Sequence, residues 1–211
     1  MTGDSRVIGI DFDNTLADYD EILRDEAFRQ GLIGSGAGVG KKTVRDSVRL
    51  KEGGEILWQK LQARVYGPLM HKARVMPGAA AFFEKCRESG AAVCVVSHKS
   101  RTYPYDDTGT DYRRAALEWM EAHRFFSAAG AGLKRENVYF EDTRGEKVRR
   151  VAALGCSHFI DDLEETFLES EFPAGTEKIL FDRHGENGDQ SAARRISSWP
   201  EISEYLFHAV N

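Results

Sequence analysis

The stretch that most constrains the fold runs from Val7 to Ile10, is apolar apart from one glycine, and ends directly in Asp11. Such a run predicts a short buried strand of a parallel sheet. In open α/β sheets, ligands bind outside the carboxyl ends of the strands, which is where Asp11 and Asp13 fall. Two carboxylates this close repel each other unless a cation lies between them. The alternative is an Asx-type turn that caps the strand, and the segment by itself leaves both interpretations open.

Further strand and helix patterns alternate along the chain. Because strands that alternate with helices form parallel sheets with right-handed crossovers, we predict an α/β fold. Apolar runs predict strands at 91–97, 138–140, 156–160 and 178–181, and helical spacing predicts helices at 78–89, 111–126, 145–154 and 199–207.

The segment 18–73 interrupts this alternation. It carries helical patterns at 18–30, 43–50 and 54–66, with a glycine-rich loop that starts at Gly34. That loop is similar to a phosphate-binding P-loop, but Ser35 stands where the first glycine is required and Lys42 stands where a hydroxyl residue is required. We therefore predict a helical insertion at 18–73 and a core domain formed by 1–17 and 74–211.

Composition limits the classes of function. The chain has 211 residues, 41% apolar and 30% charged, which suits one folded α/β domain with a small appended subdomain. The net charge of −5 and the lack of a basic run argue against nucleic acid and membrane partners, but not against a small anionic substrate. The three cysteines form no paired motif, so neither a zinc knuckle nor a disulfide framework is expected. No signal pattern or long apolar run is present, so we expect a cytoplasmic location.

Three more polar features follow predicted strands or begin a predicted helix. Ser97 follows an apolar run, Lys147 lies near the start of a helix, and the pair Asp161-Asp162 follows Phe159 and Ile160. Each has an ordinary explanation alone: a serine satisfying the backbone, a solvated lysine, and an acidic helix cap. Together, at one edge of a parallel sheet, they suit a phosphoryl group in transfer, which needs positioning and charge stabilisation.

The combination resembles the haloacid dehalogenase-like (HAD) phosphatase superfamily, over residues 7–162. Its pattern is DxDxT after the first strand, Ser or Thr after the second, a later Lys, and an acidic pair after the fourth strand. The resemblance implies a Rossmann-like three-layer sandwich with a mainly parallel sheet and a small α-helical cap. The matching residues are Asp11-Phe12-Asp13-Asn14-Thr15, Ser97, Lys147 and Asp161-Asp162.

The resemblance also implies catalytic roles. Asp11 would be the nucleophile that forms an aspartyl-phosphate, and Asp13 would protonate the leaving oxygen and then activate water. Ser97 would hydrogen-bond a phosphoryl oxygen, and Lys147 would offset the charge between Asp11 and the phosphoryl group. Dehalogenases lack an acid at the position of Asp13, because a halide leaves without a proton, so the resemblance favours phosphate ester cleavage.

A metal site follows from the same resemblance. Mg²⁺ would be held by Asp11, by the backbone carbonyl of Asp13 and by Asp161, with Asp162 binding directly or through water. An oxygen-only ligand set suits Mg²⁺ better than zinc.

Several residues near the motifs are candidates for substrate contacts. Thr15, as part of the first motif, and His98, Lys99 and Arg101, which follow Ser97, are expected to bind substrate. Lys41, Lys42 and Arg45 of the cap have two interpretations, a substrate-facing set or a solvated helix face, of which the second is favoured.

The function predicted is therefore a Mg²⁺-dependent phosphomonoester hydrolase for a small phosphorylated metabolite. A phosphotransferase with an acceptor other than water, and a non-catalytic phospho-ligand-binding protein on the same fold, remain alternatives.

Overall fold

The computed structural model describes residues 6–38, 40–188 and 190–207. Its strands are β1 (Val7–Ile10), β2 (Ala17–Asp18), β3 (Arg74–Val75), β4 (Ala92–His98), β5 (Val138–Glu141), β6 (His158–Asp161), β7 (Glu177–Phe181) and β8 (Arg194–Ile196). Its α-helices are α1 (Asp20–Arg29), α2 (Lys41–Arg49), α3 (Gly54–Tyr66), α4 (Ala79–Ser89), α5 (Tyr112–Ala122), α6 (Arg144–Ala153), α7 (Glu164–Phe167) and α8 (Trp199–Phe207).

Six strands form one sheet in the order β5-β4-β1-β6-β7-β8. Every neighbouring pair in this sheet is parallel, and Ile10 of the central strand β1 lies between Val95 of β4 and Ile160 of β6. A strand in this position is buried on both faces, which explains its continuous apolar sequence. The α/β fold predicted from the sequence is confirmed.

Each face of the sheet is covered by its own apolar cluster. Successive residues of a strand point to opposite faces, so Val95 packs into one cluster and its neighbour Val96 into the other. The larger cluster includes residues of α4, α5 and α8, and the smaller one includes Val151 of α6 and Phe167 of α7. The result is a three-layer arrangement with the sheet in the middle.

The helices α1, α2 and α3 lie between the two short strands β2 and β3. These strands pair antiparallel, with Ala17 opposite Val75 and Asp18 opposite Arg74, and so bring both ends of the insertion together. Residue 18 lies in β2 and residue 73 directly precedes β3, while the division into cap and core stays a prediction. Val39, within the glycine-rich loop, lies outside the described residues.

The sequence patterns missed three strands and extended one helix too far. β2, β3 and β8 have only two or three residues, too few for a periodic signal, and β8 begins with Arg194-Arg195 at the sheet edge. The helix predicted at 111–126 ends at Ala122, because Arg124 takes a left-handed backbone conformation with φ of 63°. Asp189, predicted in a polar loop, lies outside the described residues. No helix within the described part of the chain has the length and apolar character needed to cross a membrane.

Candidate active site

The loop after β1 places Asp11 at the centre of the sheet edge. The backbone N–H of Asp11 donates to the carbonyl of Ile160 in β6 over 2.8 Å, and the carboxylate is almost completely buried. The chain then turns sharply, since Leu16 and Ala17 both donate to the carbonyl of Phe12. Asn14 supports this turn in a left-handed conformation, with φ of 59°, which asparagine tolerates better than most residues.

Lys147 joins Asp11 to Asp161. Its Nζ lies 2.6 Å from one oxygen of each carboxylate, and the lysine is buried. The side chain projects from the first turn of α6, which starts with a capping box formed by Thr143 and Glu146. A lysine near a helix N-terminus is disfavoured by the helix dipole. The ion pairs of Lys147 with the two carboxylates offset this unfavourable interaction with the helix dipole.

Three carboxylates converge beside this lysine. Oxygens of Asp11, Asp161 and Asp162 all lie within 4.8 Å of one another. Burial, opposed by Lys147 and reinforced by Asp161 and Asp13, raises the pKa of Asp11 to about 6. Burial, opposed by Lys41, likewise raises the pKa of Asp162 to about 7.

A hard cation fits this cluster. All the donors are carboxylate oxygens, the ligand type that Mg²⁺ prefers. In addition, Oδ1 of Asp162 is buried and has no hydrogen-bond partner among the described residues, although buried polar atoms are nearly always paired. Asp11, Asp161 and Asp162 are therefore the side chains that would hold Mg²⁺, while the carboxylate of Asp13 points elsewhere.

The carboxylate of Asp13 is held by a lysine and a tyrosine. Lys99 Nζ lies 2.8 Å from Oδ1 and 3.0 Å from Oδ2, and the Tyr19 hydroxyl donates to Oδ1 over 2.7 Å. Lys99 has no solvent-exposed surface. The ammonium group of Lys99 therefore contacts Asp13, and direct binding of substrate by Lys99 stays a prediction.

Lys41 reaches the site from the cap. Its Nζ lies 3.3 Å from Asp162 Oδ2, and its side chain is only 19% exposed. The preferred interpretation of Lys41 as part of a solvated helix face is therefore wrong. The spacing of Lys41 with the buried Val44 and Val48 was an available signal, because positions three and four apart share one helix face.

A cavity of about 150 Å³ lies beside the carboxylate cluster. It is lined by the first turn of α2, the turn after β6 and the segment 182–188 that follows β7. Asn14 and Asp162 both line it, and each has one buried oxygen without a partner among the described residues. The oxygen of Asp162 belongs to the cation cluster, whereas that of Asn14 is an acceptor that suits a ligand with hydroxyl or amino donors.

Two further predicted residues, Ser97 and His98, lie next to each other in β4. Ser97 is buried in β4, the strand next to β1, and His98 is exposed at the end of that strand. Partial desolvation of the imidazole and the nearby charge of Lys147 lower the pKa of His98, although the residue as a whole is exposed. Both residues thus lie on an element that borders Asp11.

Two predicted substrate contacts are not brought to the site surface. Thr15 is fully buried, its carbonyl accepts a hydrogen bond from the Trp199 indole over 3.0 Å, and its hydroxyl has no partner among the described residues. The Arg101 side chain is 68% exposed and pairs with Asp111 at 3.1 Å. The Thr15 hydroxyl is thus enclosed in the core and the Arg101 guanidinium is paired at the surface, and substrate binding by either residue stays a prediction. Tyr19, which holds Asp13, was not found from the sequence because it follows the motif without a recognisable spacing.

Solved structures with the same architecture identify the fold. A dehalogenase solved with an intermediate complex superposes with a TM-score of 0.59, at 13% identity, covering 99% of this chain and 100% of that chain. A HAD hydrolase of family IA from Entamoeba histolytica gives 0.58, at 12% identity, covering 93% and 95%. The chain has the HAD fold. A HAD family hydrolase from Deinococcus radiodurans, with phosphate and sodium bound, gives 0.51, at 15% identity, covering 95% and 94%. The HAD fold expected from the four motifs is thereby confirmed. Neither a protein-family model nor a curated protein matches the chain.

Proposed function

We propose that this protein is a Mg²⁺-dependent phosphomonoester hydrolase that acts on a small phosphorylated metabolite through an aspartyl-phosphate on Asp11. The observation that carries the proposal is the lysine-bridged pair of buried carboxylates, Asp11 and Asp161, with Asp162 beside them and Asp13 two residues after Asp11. Hydrolysis of a phosphate ester needs a nucleophile, a proton-transfer group and concentrated positive charge. The described residues supply the first two, and Lys147 supplies part of the third.

The contacts at Asp11 indicate which oxygen attacks. Oδ1 of Asp11 is engaged by Lys147, which leaves Oδ2 for the phosphorus. As the bond from Oδ2 to phosphorus forms, the bond to the ester oxygen breaks, and Asp13 gives that oxygen a proton. Asp13 then takes a proton from the water that attacks the aspartyl-phosphate. Bound Mg²⁺ would add positive charge against the phosphoryl oxygens.

Dehalogenation is the second candidate, because two of the structures with this fold are dehalogenases. It needs an aspartate nucleophile but neither a proton donor nor a metal site. Asp13, held in place by Lys99 and Tyr19, and the cluster that includes Asp161 have no use in that reaction. These residues favour phosphate esters.

The cap supports a small substrate. Lys41 of α2 lies against Asp162, so the insertion covers this side of the cluster, and the cavity described above is lined in part by the first turn of α2. A site covered in this way excludes water and bulky polymers. We infer a hydroxylated leaving group, since the unpartnered oxygen of Asn14, which lines the cavity, accepts hydrogen bonds.

The decisive experiment is phosphate release from p-nitrophenyl phosphate and then from a panel of phosphorylated metabolites, with Mg²⁺ and with EDTA. We expect Mg²⁺-dependent release, and we expect Asp11→Asn to lower it by about a thousandfold or more, because the nucleophile is lost. Asp25→Asn is the matched control, since Asp25 is an exposed aspartate paired with Arg24. Full activity of folded Asp11→Asn would refute the mechanism.

The same samples separate the alternatives. Chloride release from 2-chloropropionate without phosphate release would indicate a dehalogenase. Product formation that requires a second alcohol would indicate a phosphotransferase. Binding of Mg²⁺ and phosphate without turnover on the whole panel would indicate a non-catalytic binding protein.

A further inference from the structure

Lys99 is a buried lysine to which the chemistry above assigns no step. It has 0% exposure, as low as any residue in the described chain. Removing an ammonium group from water costs several kcal/mol unless partners replace the hydration. Its contacts therefore indicate what the residue does.

The ammonium of Lys99 has a single carboxylate partner among the described residues. Both oxygens of Asp13 are within hydrogen-bond distance, at 2.8 and 3.0 Å. The rings of Phe12 and Tyr66 flank the charge, with centroids 5.3 and 5.4 Å away, which is cation–π distance. The group is thus enclosed by Asp13 and aromatic rings.

The backbone of Lys99 is also held on both sides. Its N–H donates to the carbonyl of Glu141 over 2.9 Å, and its own carbonyl accepts from Arg113 Nε over 2.7 Å. Arg113 is itself paired with Asp142 at 2.6 Å. The lysine therefore extends from a fixed base on the core domain, which gives the Asp13 carboxylate a fixed partner.

The hydrogen bonds at Asp13 leave one position free. A carboxylate oxygen has two lone-pair sites. Oδ1 uses both, because it accepts from Lys99 and from the Tyr19 hydroxyl. Among the described residues Oδ2 accepts from Lys99 alone, so one of its lone pairs is available to another group.

We propose that Lys99 is a positioning residue that fixes the Asp13 carboxylate so that Oδ2 exchanges the proton with the leaving oxygen. This role rests on the proposed phosphatase function. As the bond from Asp11 to phosphorus forms and the ester bond breaks, the proton on Asp13 Oδ2 moves to the ester oxygen and an alcohol leaves. In the second half, Oδ2 takes a proton from water as the water oxygen bonds to phosphorus and Asp11 is released. Esters with poorly acidic alcohols depend most on this step.

The test compares two substrates of similar shape. p-Nitrophenolate is a stable anion that leaves without a proton. Phenolate is a more basic leaving group, so the cleavage of phenyl phosphate depends more strongly on proton donation. Because kcat/KM reports the steps up to formation of the aspartyl-phosphate, it isolates proton donation. We expect Lys99→Met to lower kcat/KM for phenyl phosphate by about 10- to 100-fold, within the usual contribution of general acid catalysis. For p-nitrophenyl phosphate we expect a loss below about threefold.

Two further variants provide a second test and a control for this comparison. Tyr19→Phe removes the second donor to Asp13 and should shift the substrate ratio in the same direction by about two- to fivefold. It decides the question if Lys99→Met does not fold. Lys85→Met removes an exposed lysine on α4 and should leave the ratio unchanged.

The outcomes separate this role from the proposed function. Equal losses on both phosphates would mean that Lys99 serves phosphate binding or folding, and would overturn the positioning role alone. An unchanged ratio in both the Lys99 and Tyr19 variants would also overturn it. Wild-type protein without turnover of either phosphate would overturn the proposed function and this role with it.

Discussion

Replacing Gly9 by alanine tests how tightly β1 is held between its neighbours. A Cβ at Gly9 would lie 2.6 Å from Phe159 Cδ2 and 2.9 Å from Cys156 Sγ. Favourable carbon contacts are about 3.5–4.0 Å, so the ring must move by about 1 Å. Phe159 also packs near Phe167 and Phe172, with centroids 6.4 Å away in each case, which limits that movement.

The expected cost is about 1–2 kcal/mol in the free energy of unfolding. Overpacking costs about 1–3 kcal/mol, and the better strand propensity of alanine returns about 0.5–1 kcal/mol of this. Gly175→Ala is the matched control, because a Cβ there meets nothing within 4 Å, and we expect it to be neutral or stabilising by up to about 1 kcal/mol. Urea unfolding at pH 7 measures both variants.

Activity provides a second readout of the same change. β1 carries Asp11 at its end and pairs with β4 and β6, so a displaced strand moves the proposed nucleophile relative to Ser97 and Asp161. We expect kcat of Gly9→Ala toward p-nitrophenyl phosphate to fall about tenfold or more, as small misplacements of reacting groups do. Stability and kcat equal to those of the wild type would refute the packing described for this strand.

Two other predictions concern the cap. The hydrogen bonds that Glu26 accepts from Arg29, together with those from Gln30 and Arg64, lower its pKa to about 2 despite partial burial. Because the folded-state pKa lies below the unfolded value of 4.5, the stabilisation is complete above pH 4.5 and is lost as the pH falls through 2. Because the arginine partners of Glu26 are half exposed, Glu26→Gln should lower the free energy of unfolding by only about 1–2 kcal/mol at pH 7, as measured by urea unfolding. This difference from the wild type should shrink as the pH is lowered. A difference that does not depend on pH would contradict the prediction. Lys41→Met removes a positive charge next to Asp162 and should therefore tighten Mg²⁺ binding by about fivefold. Calorimetry at low salt measures this affinity, and weaker binding by the variant would contradict the contact between Lys41 and Asp162.

The order of elements and the positions of the main acids could be predicted because the signals are local. Apolar runs and helix spacing depend on neighbours in the chain, so β1 and the helix at 54–66 were predicted with the observed limits. Asp11 and Asp161 lie at strand ends, and parallel strands deliver their ends to one edge of the sheet. Their convergence follows from topology, which the alternation of elements already indicates.

The direction of long side chains depended on the tertiary structure. Lys99 and Arg101 are two residues apart in one loop, yet one is buried against Asp13 and the other is exposed beside Asp111. Sequence spacing could not separate them, because the choice depends on the aromatic rings and on Arg113, which come from distant segments. The position of a single lysine in the sequence does not indicate which distant residues it will contact.

The inserted helices α1 to α3 also combine features that are encoded locally with contacts that depend on the tertiary structure. These helices are encoded locally, but the contact between Lys41 and Asp162 exists only because the cap packs on the core, 121 positions away along the chain. The sequence by itself determined an α/β core with four motifs at one edge. The tertiary structure decided that Asp13 is held by Lys99 and Tyr19, since those contacts depend on how separate segments pack.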